Sequence, residues 1–316
     1  MLRLMHPITA LMSALGVLTV IFIGGWARAV MAVRTLGSRE QSPGSREPSP
    51  ATDARFPTAT MIGIGAGTNF FDTLGIGSFA TTTALFRLLK TVPDRVIPGT
   101  LNAGHTLPTV AQAFIYTSLI PVDILTLFSM IAAAVVGAWL GAGVVSHWPK
   151  KNVQMGMGMA LLGAAILMLM TQMNVFPGGG EALGVRGVKL AIAIGGNFLL
   201  GALMTLGIGL YAPCMILVSL LGMNPTAAFP IMMGSCAFLM PVGSLRFIRE
   251  QSYSLRAALG LAIGGIPAVI VAAYVVKSLS LNTVRWLVIA VVLYTAVTML
   301  MSAFSSAEEP PAPARV

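Results

Sequence analysis

Apolar residues occur along this chain in long runs that short polar gaps separate. Runs of about 20 apolar residues, the length that crosses the hydrocarbon core of a bilayer, are found at 8–27, 100–120, 123–146, 152–173, 227–247, 256–277 and 283–303. Two further runs, 58–90 and 188–222, are too long for a single crossing, and glycines interrupt both of them. The pattern predicts an all-α polytopic membrane protein.

The motif Thr-Leu-Gly-Ile-Gly occurs once in each of the two over-long runs, at 73–77 and at 205–209. When the chain is aligned with itself at an offset of 132 residues, 73–98 match 205–230 at eleven of 26 positions. Three plain spans follow each broken run. We therefore predict two copies of one transporter-like unit, at 58–173 and 188–303. Each copy has a glycine-broken, hairpin-like segment followed by three spanning helices.

The remaining segments flank these two repeats. One extra span at 1–36 precedes a loop at 37–57, which is rich in Ser, Pro and Arg and is predicted to be mobile. Residues 174–187 connect the repeats, and 304–316 form a polar tail. The N-terminus has features of a signal peptide that ends near Ala29, but the arginines that follow its apolar core favour a span that is retained.

Composition agrees with a membrane protein, because 9% of the residues are charged and the mean hydropathy is +0.86. Soluble domains carry about 25% charged residues. The net charge of +9 comes from basic residues in the gaps between apolar runs, without interleaved aromatics. This distribution excludes a nucleic-acid partner and leaves the lipid bilayer and a small substrate as the expected partners.

The basic residues also predict the orientation of the spans. If the loops at 28–57, 87–98, 146–151 and 246–256 and the C-terminal tail share one side, that side holds 14 of the 19 Lys and Arg residues. Positive charge favours the cytoplasm. The arrangement requires each broken segment to enter and leave on the same face. The two units then have opposite orientations, as inverted-topology repeats.

The paired glycines of the repeated motif predict a substrate site. Two glycines within three residues weaken a helix, and a break at membrane depth is tolerated beside protein or a water-filled cavity. Glycine-interrupted segments at matching places in inverted halves indicate the central site of a transporter. The N-termini of half-helices suit an anion. The candidate substrate-binding residues are Thr73, Gly75, Gly77, Thr205, Gly207, Gly209 and Ser235.

Glycines within the apolar runs have a simpler explanation, since small residues allow helices to pack closely in membranes. This interpretation applies to Gly63, Gly65 and Gly67, and to the pair Gly195 and Gly196. It does not explain why doubled glycines occupy equivalent points of two over-long segments.

Two ionisable residues within the apolar runs are candidates for proton coupling, because such groups are costly to keep in a membrane. Asp72 directly precedes the first motif, and His105 lies in the following span. Asp72 could instead be the N-cap of a helix that begins after it. His105 could be a buried histidine whose hydrogen bonds are satisfied. The sequence leaves these alternatives open.

Two segments of the second unit resemble the TauE/SafE family, known as sulfite exporters. They are LGIGLYAPCMIL at 206–217 and AAFPIMMGSCAFLMP at 227–241, and the similarity extends over about 58–303. The resemblance implies transport of small sulfur-containing or organic anions across the bacterial inner membrane. The residues that carry the resemblance are Gly75, Gly77, Gly207, Gly209, Pro213, Gly234 and Ser235. Leu210-Tyr211 and Thr81 depart from the family pattern.

The expected function is therefore that of a secondary transporter that exports a small anion. An enzyme is not expected, since the chain has three histidines, no HExxH motif and no acidic pair in a span. No cofactor or metal site is expected, and no nucleotide-binding loop indicates ATP as the energy source. The alternatives to a transporter are an anion channel and a membrane-embedded enzyme without a recognisable catalytic motif.

Overall fold

The computed structural model describes residues 2–37, 49–74, 77–117, 120–175, 179–207, 209–274 and 282–305. Within these ranges the fold is helical, and the only β-type pairing is an isolated bridge between Ala182 and Met223. The α-helices are α1 Leu2–Gly37, α2 Ala59–Thr73, α3 Ser78–Leu88, α4 Ile97–Thr117, α5 Ile124–Val145, α6 Lys150–Gln172, α7 Gly187–Met204, α8 Tyr211–Leu220, α9 Ala228–Arg249, α10 Leu255–Tyr274 and α11 Asn282–Ser305.

Six apolar segments in the described part of the chain are long enough to cross a membrane. They are Ile8–Val33 within α1, Lys151–Gln172 within α6, and the helices α5, α7, α9 and α10. These helices agree with the predicted multi-pass membrane protein. The span predicted at 100–120 is also helical, as α4, but Asn102, His105 and Gln112 make it more polar. Helix α11, with 24 residues, covers the span predicted at 283–303.

Both over-long segments are divided into two helices, as the glycines predict. The first break separates α2 from α3, and the second separates α7 from α8. Gly77 and Gly207 adopt φ values of +87° and +95°, a region that glycine enters without a steric penalty. One detail differs from the predicted hairpin-like segment, in which neither helix should cross the membrane alone: α7 has 18 residues and can span a bilayer by itself.

The order of elements recurs along the chain. The helices α7 to α11 begin within about four residues of the positions of α2 to α6 shifted by 132. The packing is reciprocal as well. Helix α2 packs against α10 and α7 packs against α5, while the equivalent helices α4 and α9 pack against each other, as do α6 and α11. The two sets of helices therefore build one shared core.

Contacts between helix ends fall into two groups. Glu250 pairs with His147 at 3.2 Å, and the Ser254 amide donates to Thr100 Oγ1 at 2.8 Å. In the second group, Arg186 pairs with Asp123 at 2.6 Å, and the Asn224 amide donates to the carbonyl of Ala182. Because Asp123 precedes α5 and His147 follows it, the groups lie at opposite ends of a helix about 33 Å long.

Helices α4 and α9 run in opposite directions. The start of α4 at Gly99 lies against Phe247 and Ser252, at the end of α9 and just beyond it. Glycine is required there, since a Cβ on Gly99 would overlap the backbone carbonyl oxygen of Ser252. The hydroxyls of Thr106 and Ser244 meet further along the same interface, at 3.2 Å.

The extra helix α1 packs against α9 and α4. The described part of the loop predicted at 37–57, residues 49–57, forms a turn beside the start of α10. There the Leu255 amide donates to the Pro50 carbonyl at 3.0 Å, and Arg256 Nε donates to the Phe56 carbonyl at 2.9 Å. Residues 38–48, and most of the tail predicted at 304–316, lie outside the described residues.

Candidate functional site

A buried polar cluster joins the two halves at the helix breaks. Asp72, the penultimate residue of α2, is 1% exposed, and its Oδ2 accepts a hydrogen bond from Gln112 Nε2 of α4 at 2.9 Å. Tyr211, the first residue of α8, places its hydroxyl 2.9 Å from Gln112 Oε1 and 3.4 Å from Asp72 Oδ2. Tyr211, which follows the second break, therefore contacts Asp72, which precedes the first.

The position of Gln112 is fixed by hydrogen bonds on both sides of its amide. Its nitrogen also donates to Thr73 Oγ1 at 3.0 Å, while its oxygen faces the Tyr211 hydroxyl. On the next turn of α4, the Tyr116 hydroxyl donates to the Thr73 carbonyl at 3.1 Å. The bond from Tyr116 satisfies a carbonyl that the end of α2 leaves without an intrahelical partner.

His105 belongs to a second buried cluster between α2, α3 and α4. Asn69 Nδ2 donates to the Gly65 carbonyl, so its Oδ1 faces His105 Nδ1 at 3.0 Å as an acceptor. The Nδ1 atom must then carry a proton, and Nε2 accepts from the Thr82 hydroxyl at 3.0 Å. Both ring nitrogens are used in the neutral tautomer, which supports the interpretation of a satisfied buried histidine.

The equivalent region of the second half has different chemistry. At the offset of 132, Met204 replaces Asp72 and Ala237 replaces His105. Met204 Sδ lies 3.7 Å from the Cys236 thiol. Asn197 of α7 donates to the Met130 carbonyl and to Ser235 Oγ, at 2.7 and 2.9 Å. The carboxylate and the imidazole near the breaks therefore come from the first half alone.

Two of the predicted hydroxyl donors are already engaged. The Thr73 hydroxyl donates to the Asn69 carbonyl at 2.8 Å, and the Thr205 hydroxyl donates to the Ala202 carbonyl at 2.6 Å. Both bonds run back to the residue's own helix. Ser235 Oγ accepts from Asn197, which leaves its hydroxyl hydrogen directed elsewhere. Of the three hydroxyls, that of Ser235 is the one that donates no hydrogen bond to another described residue, and Ser235 is fully buried.

The motif glycines divide into open and enclosed positions. Gly77 and Gly209 occupy equivalent places, and no described atom lies within 4 Å of where a Cβ on either would be. Gly207 is enclosed, because its Cβ would lie 3.0 Å from Met157 Cε. Gly75 lies outside the described residues. The second glycine of each motif thus leaves space directly beside the start of α3 or α8.

The starts of α3 and α8 receive no side-chain cap from the residue that precedes each helix. The residues at these positions, Gly77 and Leu210, make no side-chain hydrogen bond to the first turn of the helix. The first N–H groups of a helix have no intrahelical partner and carry partial positive charge. Uncapped starts beside open space can therefore donate to an anion.

The alternative that Asp72 caps a helix beginning at Thr73 is wrong, because α2 ends there. Among the other glycines, Gly65 packs against Leu261 of α10 and Gly196 packs against Leu217 of α8. The close-packing explanation therefore holds for these two. It does not hold for Gly63, Gly67 and Gly195, which have no described neighbour within 4 Å of a Cβ.

Sequence reasoning missed Gln112 and the partnership of Tyr211 with Asp72. A glutamine in an apolar run was an available signal, since polar groups at membrane depth are costly. Tyr211 was noted as a departure from the family pattern, without a partner. Within the described residues, no group of three or more His, Cys, Asp or Glu side chains could hold a metal ion. No protein-family model, curated protein or solved structure matches the chain.

Proposed function

We propose that this protein is a secondary transporter of a small anion, located in the bacterial inner membrane. The observation that carries the proposal is the meeting of two helix breaks at one buried polar cluster, through the contacts of Tyr211 with Gln112 and Asp72. Broken helices at membrane depth need protein or a water-filled cavity to satisfy their backbone groups. Transporters use such breaks to bind their substrates.

The helix arrangement supports two inverted-topology repeats, at 58–173 and 188–303. The recurrence of element order at an offset of 132 supports two copies of one unit. The opposite directions of the equivalent helices α4 and α9 support their inversion. The reciprocal packing of α2 with α10 and of α5 with α7 makes each half depend on the other. Such an architecture suits alternating access better than a static pore.

The proposed substrate is a small anion such as sulfite, an organosulfonate or a carboxylate. The uncapped starts of α3 and α8 supply backbone N–H donors, and Gly77 and Gly209 leave space beside them. Binding by backbone dipoles implies modest affinity and selection by size and charge. The sulfur-containing class and the outward direction come from the TauE/SafE resemblance. An ion gradient or the membrane potential supplies the energy.

The test is counterflow in proteoliposomes that contain the purified full-length chain. Vesicles preloaded with unlabelled sulfite, sulfate, thiosulfate, methanesulfonate or acetate receive the labelled anion outside. A transporter gives a transient accumulation that saturates with concentration, whereas a channel gives simple equilibration. If none of these anions exchanges, or if each only equilibrates, the proposed function is contradicted.

Substitution of Gly209 by Leu tests the location of the site. Gly209 has no described neighbour within 4 Å of a Cβ, so a side chain there fills open space instead of displacing the core. We expect Gly209→Leu to abolish counterflow while the protein still elutes as a folded species. Gly67→Leu is the matched control, because Gly67 is exposed, has no described neighbour, and lies in a broken segment away from its break. Full activity of Gly209→Leu would place the substrate path elsewhere.

A further inference from the structure

The carboxylate of Asp72 lies in the interior without a cationic partner. Its side chain is 1% exposed, and none of the ion pairs among the described residues includes it. Its Oδ1 atom has no hydrogen bond from any described residue. The amide and hydroxyl of Ser78, at the start of α3, lie close enough to the carboxylate to interact with it, but neither forms a hydrogen bond to Oδ1.

The hydrogen bonds to the other oxygen are few. A tyrosine hydroxyl has one proton, and the Tyr211 hydroxyl is closer to Gln112 Oε1, at 2.9 Å, than to Asp72 Oδ2, at 3.4 Å. The bond from Gln112 Nε2 is therefore the one short hydrogen bond that Asp72 receives among the described residues. Asp72 also lies in the last turn of α2, where the helix dipole places partial negative charge. The start of α3, beside Asp72, adds partial positive charge, but the buried carboxylate has no cationic partner among the described residues to offset the cost of burying its charge. Protonation of Oδ1 removes that cost.

The surroundings of Asp72 do not form a cage for a metal cation. Ca²⁺ and Mg²⁺ are bound by about six or more oxygen ligands, and the groups that reach Oδ2 are an N–H and an O–H donor. A proton needs one free lone pair, which Oδ1 provides. Oδ1 can therefore bind a proton without any further ligand.

Other titratable groups near Asp72 are weaker candidates for proton uptake. Tyr116 of α4, Tyr211 of α8 and Cys236 of α9 face Asp72, and all three are neutral acids in ordinary conditions. His105, further back along α4, uses both ring nitrogens in hydrogen bonds to Asn69 and Thr82.

We propose that Asp72 carries one proton with each transported anion. The proton binds to Oδ1 and gives a neutral acid; it leaves from the same atom on the other side of the membrane. This inference rests on the proposed function, because the starts of α3 and α8, beside Asp72, are the proposed anion-binding groups. An ionised Asp72 repels an anion at those groups, whereas a neutral one does not. Anion and proton therefore bind together and move in the same direction.

Cotransport of this kind has a direct consequence for energetics. A monovalent anion that moves with one proton carries no net charge, so the membrane potential does not drive it. A pH difference of about one unit supports about a tenfold concentration ratio of the anion. An inward proton gradient then favours uptake, which differs from the outward direction that the TauE/SafE resemblance implies. Export by the same coupling requires an excess of the anion in the cytoplasm.

The experiment measures methanesulfonate in proteoliposomes of the full-length chain, because a sulfonate stays ionised where carboxylic acids titrate. The wild type should accumulate methanesulfonate about tenfold per pH unit, acidic outside, and should not respond to a potassium diffusion potential set by valinomycin. Asp72→Asn keeps an acceptor for Gln112 but cannot titrate. It should retain counterflow, lose the pH-driven accumulation, and respond to the diffusion potential.

Each outcome bears on a different claim. Absence of methanesulfonate counterflow in the wild type contradicts the proposed function for sulfonates. Counterflow without pH-driven accumulation in the wild type overturns proton coupling alone, as does unchanged accumulation in Asp72→Asn. If Asp72→Asn also loses counterflow, Asp72→Glu must restore both counterflow and the pH response, and failure to do so overturns the proposal. A folded His105→Gln variant should keep the pH-driven accumulation. If His105→Gln loses that accumulation while Asp72→Asn keeps it, the proton coupling belongs to His105 and the proposal is overturned.

Discussion

Gly65 is the glycine whose replacement by alanine should most clearly separate close packing from a helix break. It lies in α2 and faces α10, where a Cβ would be 2.6 Å from Leu261 Cα and 2.7 Å from the Leu261 carbonyl oxygen. Both atoms belong to the backbone, so no rotamer change relieves the contact. Helix α2 must move away from α10 by about 1 Å, and overpacking of this kind costs about 1–3 kcal/mol.

Two neighbouring glycines in the same helix are matched controls. Gly63 and Gly67 are exposed and have no described neighbour within 4 Å of a Cβ. Their replacement by alanine should leave the stability unchanged or raise it by up to about 1 kcal/mol, since alanine favours a helix over glycine. The difference in stability between Gly65→Ala and either control should therefore be about 1–4 kcal/mol.

The two free cysteines provide the assay. Cys214 and Cys236 are both buried, so a maleimide dye that fluoresces on reaction reports unfolding of the purified protein in detergent. Gly65→Ala should unfold at a lower temperature than the wild type, and Gly63→Ala and Gly67→Ala should not. Equal unfolding temperatures for the three variants would refute the assignment of Gly65 to the α2–α10 contact.

Two further predictions concern the helix ends. The end contacts fall into two groups, and the predicted orientation places Ser49 on the cytoplasmic side and Gly179 on the opposite side. Cysteine at Gly179 should therefore react with an impermeant reagent in intact cells, and cysteine at Ser49 should react only after permeabilisation. The reverse result contradicts the predicted orientation. The hydrogen bond from Arg186 lowers the pKa of Asp123, ahead of α5, against the smaller opposing effect of burial. The stabilisation from that pair is therefore present above the ordinary aspartate pKa and is lost as the pH falls through the lowered value. In Arg186→Gln, an NMR titration should find the Asp123 pKa higher than in the wild type, and an unchanged value would show that Arg186 is not its main cause.

Much of the fold follows from local properties of the chain. Apolar length predicts which segments can cross a membrane, and the observed helices α5, α6, α9 and α10 lie within a few residues of the predicted spans. The repeat of Thr-Leu-Gly-Ile-Gly predicts both helix breaks, because paired glycines weaken a helix wherever it packs. These features depend on residues that are close in sequence.

The pairing of helices and the composition of the site depend on residues that are distant in sequence. No local pattern indicates that α2 packs against α10 and not against its neighbours. The same holds for Gly63, Gly65 and Gly67, which look alike in the sequence although only Gly65 meets another backbone.

The polar cluster illustrates the difference most clearly. Asp72 stands out in the sequence because an ionisable group in an apolar run is costly. Its two partners, Gln112 and Tyr211, are 40 and 139 residues away along the chain. Hydrogen-bond distance is set by how α2, α4 and α8 converge, and that convergence results from packing over the whole bundle. The sequence by itself determined the helices, their breaks and the presence of a buried acid, whereas the tertiary structure alone decided which groups surround that acid, because a hydrogen bond depends on separation in space.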